Sequence, residues 1–327
     1  PERLVLLDHD ETHLHEAAAR ITEISPVLVL GDVRCPQRTQ AVFREHRPTV
    51  VFHAAALKHV PLLEAFPLEA VSTNVTGTRN VVRAARAVGS RRVVFISTDK
   101  AVRPVNVMGA SKRIGEQIVL TEAPPGAAWC AVRFGNVLGS RGSVVPTFLR
   151  QIAAGGPVTV TDERMTRYFM SIEEAVQLVL QAATMADEGD LFMLEMGKPV
   201  RIIELAERMI RLAGRRPRVD IDIDIVGPRP GEKLAEELAG PGEVPSPTSH
   251  PHVLRVQPAL PPAEAVRAGV DLLESLAASR DEAGTAAVLR ALALGVIDLT
   301  AATDGNGHRP ATEGQPDERR AWSSPST

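Results

Sequence analysis

Residues 96–113, ISTDKAVRPVNVMGASKR, bring two hydroxyls (Ser97, Thr98), a carboxyl group (Asp99) and an amine (Lys100) together directly after the apolar run Val93-Val94-Phe95-Ile96. Twelve positions after Lys100 stands Lys112, in a stretch that predicts a helix opening near Val107. Polar groups at the carboxyl end of a buried strand lie where open parallel sheets bind ligands. A lysine can act as a base only when neutral near pH 7, which requires burial or a neighbouring cation such as Lys112. A carboxyl group can act as an acid only if it keeps its proton, which burial favours and an adjacent ammonium opposes. Such a pair can exchange one proton and titrate as a unit. An exposed Asp-Lys pair would contribute little; hydroxyls on one side and Lys112 on the other favour catalysis here.

Alternating strand and helix patterns position these groups, the mark of a parallel α/β sheet. Strands are expected at 4–7 (ending at Asp8), 27–30, 50–53, 93–96, 130–134, 158–160, 191–194 and 221–226. Between and after them, helices are expected at 11–24, 37–46, 68–88 (stopped by Gly89), from about 108, at 172–185 and at 202–213. Two more are expected within 262–294, and a disordered tail over 301–327, rich in Gly, Pro, Ser, Thr and charge. Glu236 and Glu237 read as part of a solvated helix face.

At 327 residues, 44% hydrophobic and 24% charged, the chain can bury a sizeable core. A net charge of -3 gives no whole-chain case for nucleic acid. Cys35 and Cys130 lie far apart without metal-ligand spacing, so no metal and a reducing compartment are expected. No apolar run approaches the roughly 20 residues that span a bilayer, and the opening RLVLLD reads as a strand, not a signal peptide.

The segment STDKAVRPVNVMGASKR resembles the active-site stretch of UDP-N-acetylglucosamine 4,6-dehydratases, extended short-chain dehydrogenase/reductases of surface-polysaccharide and glycan biosynthesis. HAAALKHVPLLE, NVTGTRN, RFGNVLGSRGSVVP, MTRYFMSIEEAVQLVLQA and GPRPGEKLAEEL continue the resemblance in family order over roughly three quarters of the chain. It implies a Rossmann-like, doubly wound parallel sheet with a smaller α/β substrate-binding region. Short-chain dehydrogenases normally carry a tyrosine four residues before the helical lysine. Here that residue is Met108, which cannot transfer a proton. Within the resembled family, methionine marks the branch that retains configuration at sugar C5.

That resemblance implies NAD as cofactor and a UDP-linked sugar as substrate. C4 is oxidised, C5 loses its proton, water leaves from C5 and C6, and the hydride returns to C6. Lys100 and Asp99 match the family's base and acid. Thr98 is at most a relay for the C4 hydroxyl proton, Lys112 holds the nicotinamide ribose, and Met108 is a flexible apolar contact.

Asp8 is expected on the adenosine ribose, favouring NAD over NADP, and Asp32 on the adenine amine. Ala54, Ala55 and Ala56 would let a flat cofactor lie against the backbone. Asn74 ties its helix to the active-site strand. Lys58, Asn136, Ser143 and Val144 are expected at the substrate, the last three with Pro146 in a glycine-rich loop. Arg167 and Arg229 resemble residues around the UDP moiety and suggest a pyrophosphate clamp. Glu232 would bind ribose hydroxyls.

A dinucleotide fold opens with a strand, a glycine-rich turn and a helix. No GxxGxxG or GxGxxG precedes Asp8, so the expectation is an incomplete first unit at the N-terminus. The expected domains are 1–135 with 168–197 for NAD, 136–167 with 198–260 for the nucleotide sugar, and C-terminal helices over 261–300. A cytoplasmic homo-oligomer is expected, at the membrane face if a preceding region carries transmembrane helices. Two alternatives stay open: a UDP-sugar 4-epimerase, and a non-catalytic nucleotide-sugar-binding relative.

Overall fold

The computed structural model describes residues 2–140 and 142–297. β1 (Val5–Asp8) pairs in parallel with β2 (Val27–Leu30), Asp8 lying opposite Leu30. Between them α1 (Glu11–Ala19) starts on Asp10, whose carboxylate accepts from the His13 amide, satisfying one of the free donors of a first turn. It closes at Ala19 rather than at 24, because the Arg20 and Ile21 amides turn back to the Ala17 and Ala18 carbonyls.

α2 (Pro36–His46) leads to β3 (Val50–His53), and α3 (Val60–Ala65) follows. Where one helix over 68–88 is expected, three pieces stack end to end: α4 (Pro67–Ala70), a π-helical turn (Val71–Thr76) and α5 (Gly77–Val88). Gly89, at φ 72°, stops the stack, a left-handed turn that costs glycine little. β4 (Arg92–Ile96), a short 3-10 turn (Asp99–Ala101), α6 (Val107–Thr121) and β5 (Ala128–Arg133) complete the first half.

The second half holds four short strands and two helices before the next long strand. These are β6 (Asn136–Val137), α7 (Val144–Ala153), β7 (Val158–Val160), β8 (Thr166–Arg167), β9 (Phe169–Met170) and α8 (Ile172–Met185). β10 (Asp190–Leu194), β11 (Val200–Arg201), α9 (Ile202–Leu212), β12 (Ile223–Ile225), β13 (Ser246–Pro247) and β14 (Val253–Val256) follow. The expected pair of C-terminal helices is α10 (Ala263–Ala278) and α11 (Glu282–Ala293). The expected tail, 301–327, lies outside the described residues.

Among the described residues the main sheet has six strands in the order β13-β14-β10-β5-β4-β3. From β3 to β10 it is parallel, and β14 runs antiparallel to β10. Residues 246–247 and 253–256, expected in the nucleotide-sugar region, are therefore strands of the main sheet; Val253 and Val256 are buried there. Among the described residues β1 and β2 pair only with each other; Leu7 and Phe43 pack on the main core, and the Val33 carbonyl accepts from Asn80 Nδ2 at 2.9 Å on α5.

Side chains alternate across the central strands, so both faces are covered. Val93, Phe95, Trp129, Ala131, Leu191 and Met193 enter the core under α5, α6, α10 and α11. Val94, Cys130, Val132, Phe192 and Leu194 enter the opposite core under α8. Each fully buried Val, Leu or Phe contributes about 1.5–3 kcal/mol, which makes these strands a rigid base for the loops at their carboxyl ends. A third cluster, including Phe148, Val158, Ile210 and Ile223, forms the smaller lobe between α7, α9, β7 and β12.

Candidate active site

Because β3, β4 and β5 are parallel, their carboxyl ends deliver Ala54-Ala55-Ala56, Thr98-Asp99-Lys100 and Asn136 to one edge of the sheet. The strand ladder carries on into the turn: the Ser97 amide donates to Val132 O at 2.8 Å and the Asp99 amide to Phe134 O at 3.0 Å. Asp99 Oδ1 accepts from Thr98 Oγ1 at 2.9 Å and from Lys100 Nζ at 3.0 Å. Lys100 Nζ also donates to Asn136 Oδ1 at 3.2 Å. Asp99 is fully buried and its Oδ2 has no hydrogen-bond partner among the described residues. Opposite that oxygen lies Gly135, where a Cβ would stand 3.1 Å away. A hydroxyl, an acid and an amine thus share one oxygen, and the acid's other oxygen is left to receive a proton or a ligand.

The first turns of α6 pack directly against this turn. Asn106 caps the helix, accepting from the Gly109 amide at 2.7 Å, and Glu64 Oε1 accepts from the Val107 amide at 2.6 Å. Lys112, one face further along, is buried with its Nζ 4.0 Å from the centre of the Phe95 ring. Burial lowers its ammonium from 10.5 to about 7, against the pull of Glu116. His53, also buried, is pushed down to about 3 by burial and by Lys112. Met108 is buried in the core behind the turn, where a thioether fills space and moves no proton.

Other expected ligand groups lie around this centre. Asp8 ends β1 with its side chain 42% exposed, and its Oδ1 accepts from the Asp10 amide at 3.0 Å. Asp32 is engaged by Arg34, which donates through its amide and Nε at 2.8 Å and holds the carboxyl below its usual range. Ala54 and Ala55 are exposed and Ala56 is half-buried, so only methyl side chains follow β3. Asn74, in the π turn, exchanges hydrogen bonds with both backbone groups of Leu57 and donates to Ser111 Oγ at 2.9 Å. It fixes the loop after β3 to α6.

Lys58 is exposed on that loop, and its neighbour His59 abuts Gly142, where a Cβ would stand 2.5 Å from the His59 ring. The expected loop over 136–146 ends early, since Ser143 caps α7 and Val144 is its first residue. The buried Ser143 Oγ has no partner among the described residues. Arg229 is exposed, and its amide donates to Glu232 Oε2 at 3.3 Å.

Arg167 departs from the expected phosphate fork. It is buried, and its Nη atoms donate to the carbonyls of Thr166, Lys233 and Leu234 at 2.7, 2.8 and 3.2 Å. These bonds use the guanidinium to build the loop that carries Arg229 and Glu232.

The polysaccharide biosynthesis protein family model matches residues 1–258. The chain belongs to this family. It is 49% identical over 251 residues to the capsular polysaccharide biosynthesis protein CapD of Staphylococcus aureus, covering 75% of this chain and 42% of that one. With the probable polysaccharide biosynthesis protein EpsC of Bacillus subtilis it shares 46% over 250 residues, again 75% and 42%. The chain thus spans about two fifths of the length of these relatives. A UDP-glucose 4-epimerase of Rickettsia typhi is 38% identical over 238 residues, 71% of this chain and 67% of the epimerase.

Among solved structures, Pen from Bacillus thuringiensis superposes with a TM-score of 0.72 at 32% identity, over 80% of each chain. The dTDP-glucose 4,6-dehydratase DesIV of Streptomyces venezuelae, solved with NAD, has a TM-score of 0.64 at 20% identity over 74% of this chain and 80% of that one. The latter likeness bears on the fold, a Rossmann-like α/β sheet.

Within this family member, two charged features escape a reading by motif. Glu116, fully buried on α6, accepts from Ser97 Oγ at 2.6 Å and from Arg133 Nε and Nη2, each at 2.7 Å. Arg133 Nη1 reaches Glu243 at 2.7 Å, and Arg113 bridges both acids. Burial raises the Glu116 carboxyl, but Arg133, Arg113 and Ser97 outweigh it and hold it low. This network locks Ser97, and with it the turn bearing Thr98 and Asp99.

The second feature is Glu236, expected on a solvated helix face. Residues 229–240 form turns, not a helix, and Glu236 is buried with Oε1 3.8 Å from Lys100 Nζ. Glu237 points outward to pair with Arg103. No group of three or more potential metal ligands occurs among the described residues, and none of their helices is long and apolar enough to cross a membrane.

Proposed function

We propose that this chain carries a nucleotide-sugar 4,6-dehydratase site acting on UDP-N-acetylglucosamine with NAD. The observation that carries the reading is the buried Asp99 carboxyl bonded to the half-buried Lys100 amine at the end of β4, with Met108 in place of a proton-transferring side chain. Exposed Ala54 and Ala55, the part-exposed Asp8 carboxylate and the buried Lys112 amine supply small side chains, a ribose acceptor and a hydroxyl partner, which suits a dinucleotide. Bound there, NAD would supply a hydride acceptor for sugar C4 and a hydride donor for C6.

The chain's own groups handle the protons. The C4 hydroxyl passes its proton through Thr98 Oγ1 to Asp99 Oδ1, 2.9 Å away. A 4-ketone acidifies the C5 hydrogen, and Lys100 as an amine removes it. Asp99 delivers a proton to the C6 hydroxyl, water leaves, and Lys100 gives its proton back to C5 as the hydride reaches C6. Ser143 and Val144 at the start of α7, with Arg229 and Glu232, would hold the UDP moiety, since a helix amino terminus favours anions.

Sequence identity to UDP-glucose 4-epimerases supports a second reading, inversion at C4. That chemistry needs a base for the C4 oxygen and no Asp-Lys pair. Incubation of the full chain with UDP-N-acetylglucosamine and NAD+ separates the two. Loss of one water without accumulation of NADH supports dehydration. A C4-inverted sugar of unchanged mass replaces it with epimerisation.

A further inference from the structure

Lys100 Nζ faces three acidic or amide oxygens: Asp99 Oδ1 at 3.0 Å, Asn136 Oδ1 at 3.2 Å and Glu236 Oε1 at 3.8 Å. The Glu236 side chain is 3% exposed, and its Oε2 has no hydrogen-bond partner among the described residues. Arg167 Nε lies 3.8 Å from the same Oε1, while its Nη atoms bond backbone carbonyls. An acid buried against an amine with one oxygen unsatisfied calls for an explanation beyond packing.

We propose that Glu236 is a positioning residue of the elimination, acting through Lys100 by exchanging one proton with it. The inference rests on the dehydratase reading. In the transfer an N–H bond at Lys100 Nζ breaks, its electron pair stays on nitrogen, and an O–H bond forms on Glu236. Ammonium and carboxylate become amine and acid, and the pair carries no net charge in either form. Covering the site with a sugar removes water, which penalises an ion pair more than a neutral pair. The amine is thereby released when C5 needs a base. Burial already pushes the Glu236 carboxyl up; Lys100 opposes this, Asp99 adds to it, and Arg167 and Lys233 oppose it.

The full chain, as wild type, Glu236→Gln and Glu236→Asp, is treated with acetic anhydride across a pH series, and Lys100 acetylation is read by peptide mass spectrometry. Loss of the carboxylate should lower the Lys100 midpoint by about one unit or more in Glu236→Gln, and by less in Glu236→Asp. An unchanged midpoint in both variants overturns the proposal. This measurement needs no turnover, so it decides the matter even if wild type releases no water and the dehydratase reading falls. Where turnover is seen, wild-type kcat should be flat across neutral pH. Glu236→Gln should instead climb about tenfold per pH unit up to its Lys100 midpoint. Parallel profiles would remove the proton exchange.

Discussion

A Cβ placed on Gly109 would stand 2.2 Å from the carbonyl oxygen of Lys100. The first turn of α6 is therefore in backbone contact with the turn that carries the candidate acid and base. Gly109→Ala must push the two apart, because a backbone carbonyl cannot swing away as a side chain can. Overpacking of this kind costs about 1–3 kcal/mol. Urea unfolding should show that loss, and C5 exchange with solvent deuterium should fall far more than stability does. An alanine variant with wild-type exchange would mean that the contact does not aim Lys100.

Lys100→Ala should reduce solvent deuterium incorporation at sugar C5 by about 10² to 10⁴. Substrate binding should change little, since the groups proposed for UDP lie on α7 and the 229–232 loop. Isotope incorporation measured by NMR tests this, and a rate equal to wild type would exclude Lys100 as the base.

Lys112 gives a pH signature. Its ammonium is lowered by burial from 10.5 to about 7, so between those values the unfolded chain binds a proton that the folded chain does not. Stability from this group must rise with pH across that window and is least below it. The gain is on the order of a few kcal/mol. Lys112→Met should flatten this rise in urea midpoints measured from pH 7 upward. A variant whose pH dependence matches wild type would show that Lys112 finds solvent or a counter-ion.

Glu116→Gln leaves the buried Arg133 guanidinium with Glu243 alone as its carboxylate partner, on Nη1, and a neutral amide at Nε and Nη2. Breaking one partner of a buried pair costs about 3–5 kcal/mol. Replacing Glu116 and Arg133 together by methionine should cost less than the sum of the single changes, as a double-mutant cycle in urea would reveal. Strict additivity would mean that the two charges do not depend on each other.

The central strands are legible in the sequence because both of their faces are covered. Continuous apolar runs such as 93–96 and 130–134 then read as buried parallel strands, and their carboxyl ends point to Asp99 and Lys100. Charged residues are harder, since type alone predicts exposure. Arg167 resembles a free phosphate ligand, yet three loop carbonyls occupy its Nη atoms. Glu236 resembles a surface acid, yet Lys100 draws it inward. Glu116 and Arg133 meet only because β4, β5 and α6 pack together, an arrangement that no local pattern encodes. The strand role of 253–256 is hidden for a similar reason, as its partner, β10, is remote in sequence.

The π turn over Val71–Thr76 sets the angular phase between α4 and α5. An α-helix advances by roughly 100° per residue, so the wide turn acts as an inserted step that lets both neighbours keep their buried faces. Deleting one residue there would relax the segment to an ordinary helix and rotate everything downstream. Asn74 would then turn away from Leu57 and Ser111, and the Ala54-Ala55 segment would lose its tether to the helix bearing Lys112. A change of one residue in chain length, with no change in chemistry at any of these side chains, would thus put the loop after β3 and the turn bearing Asp99 and Lys100 out of register.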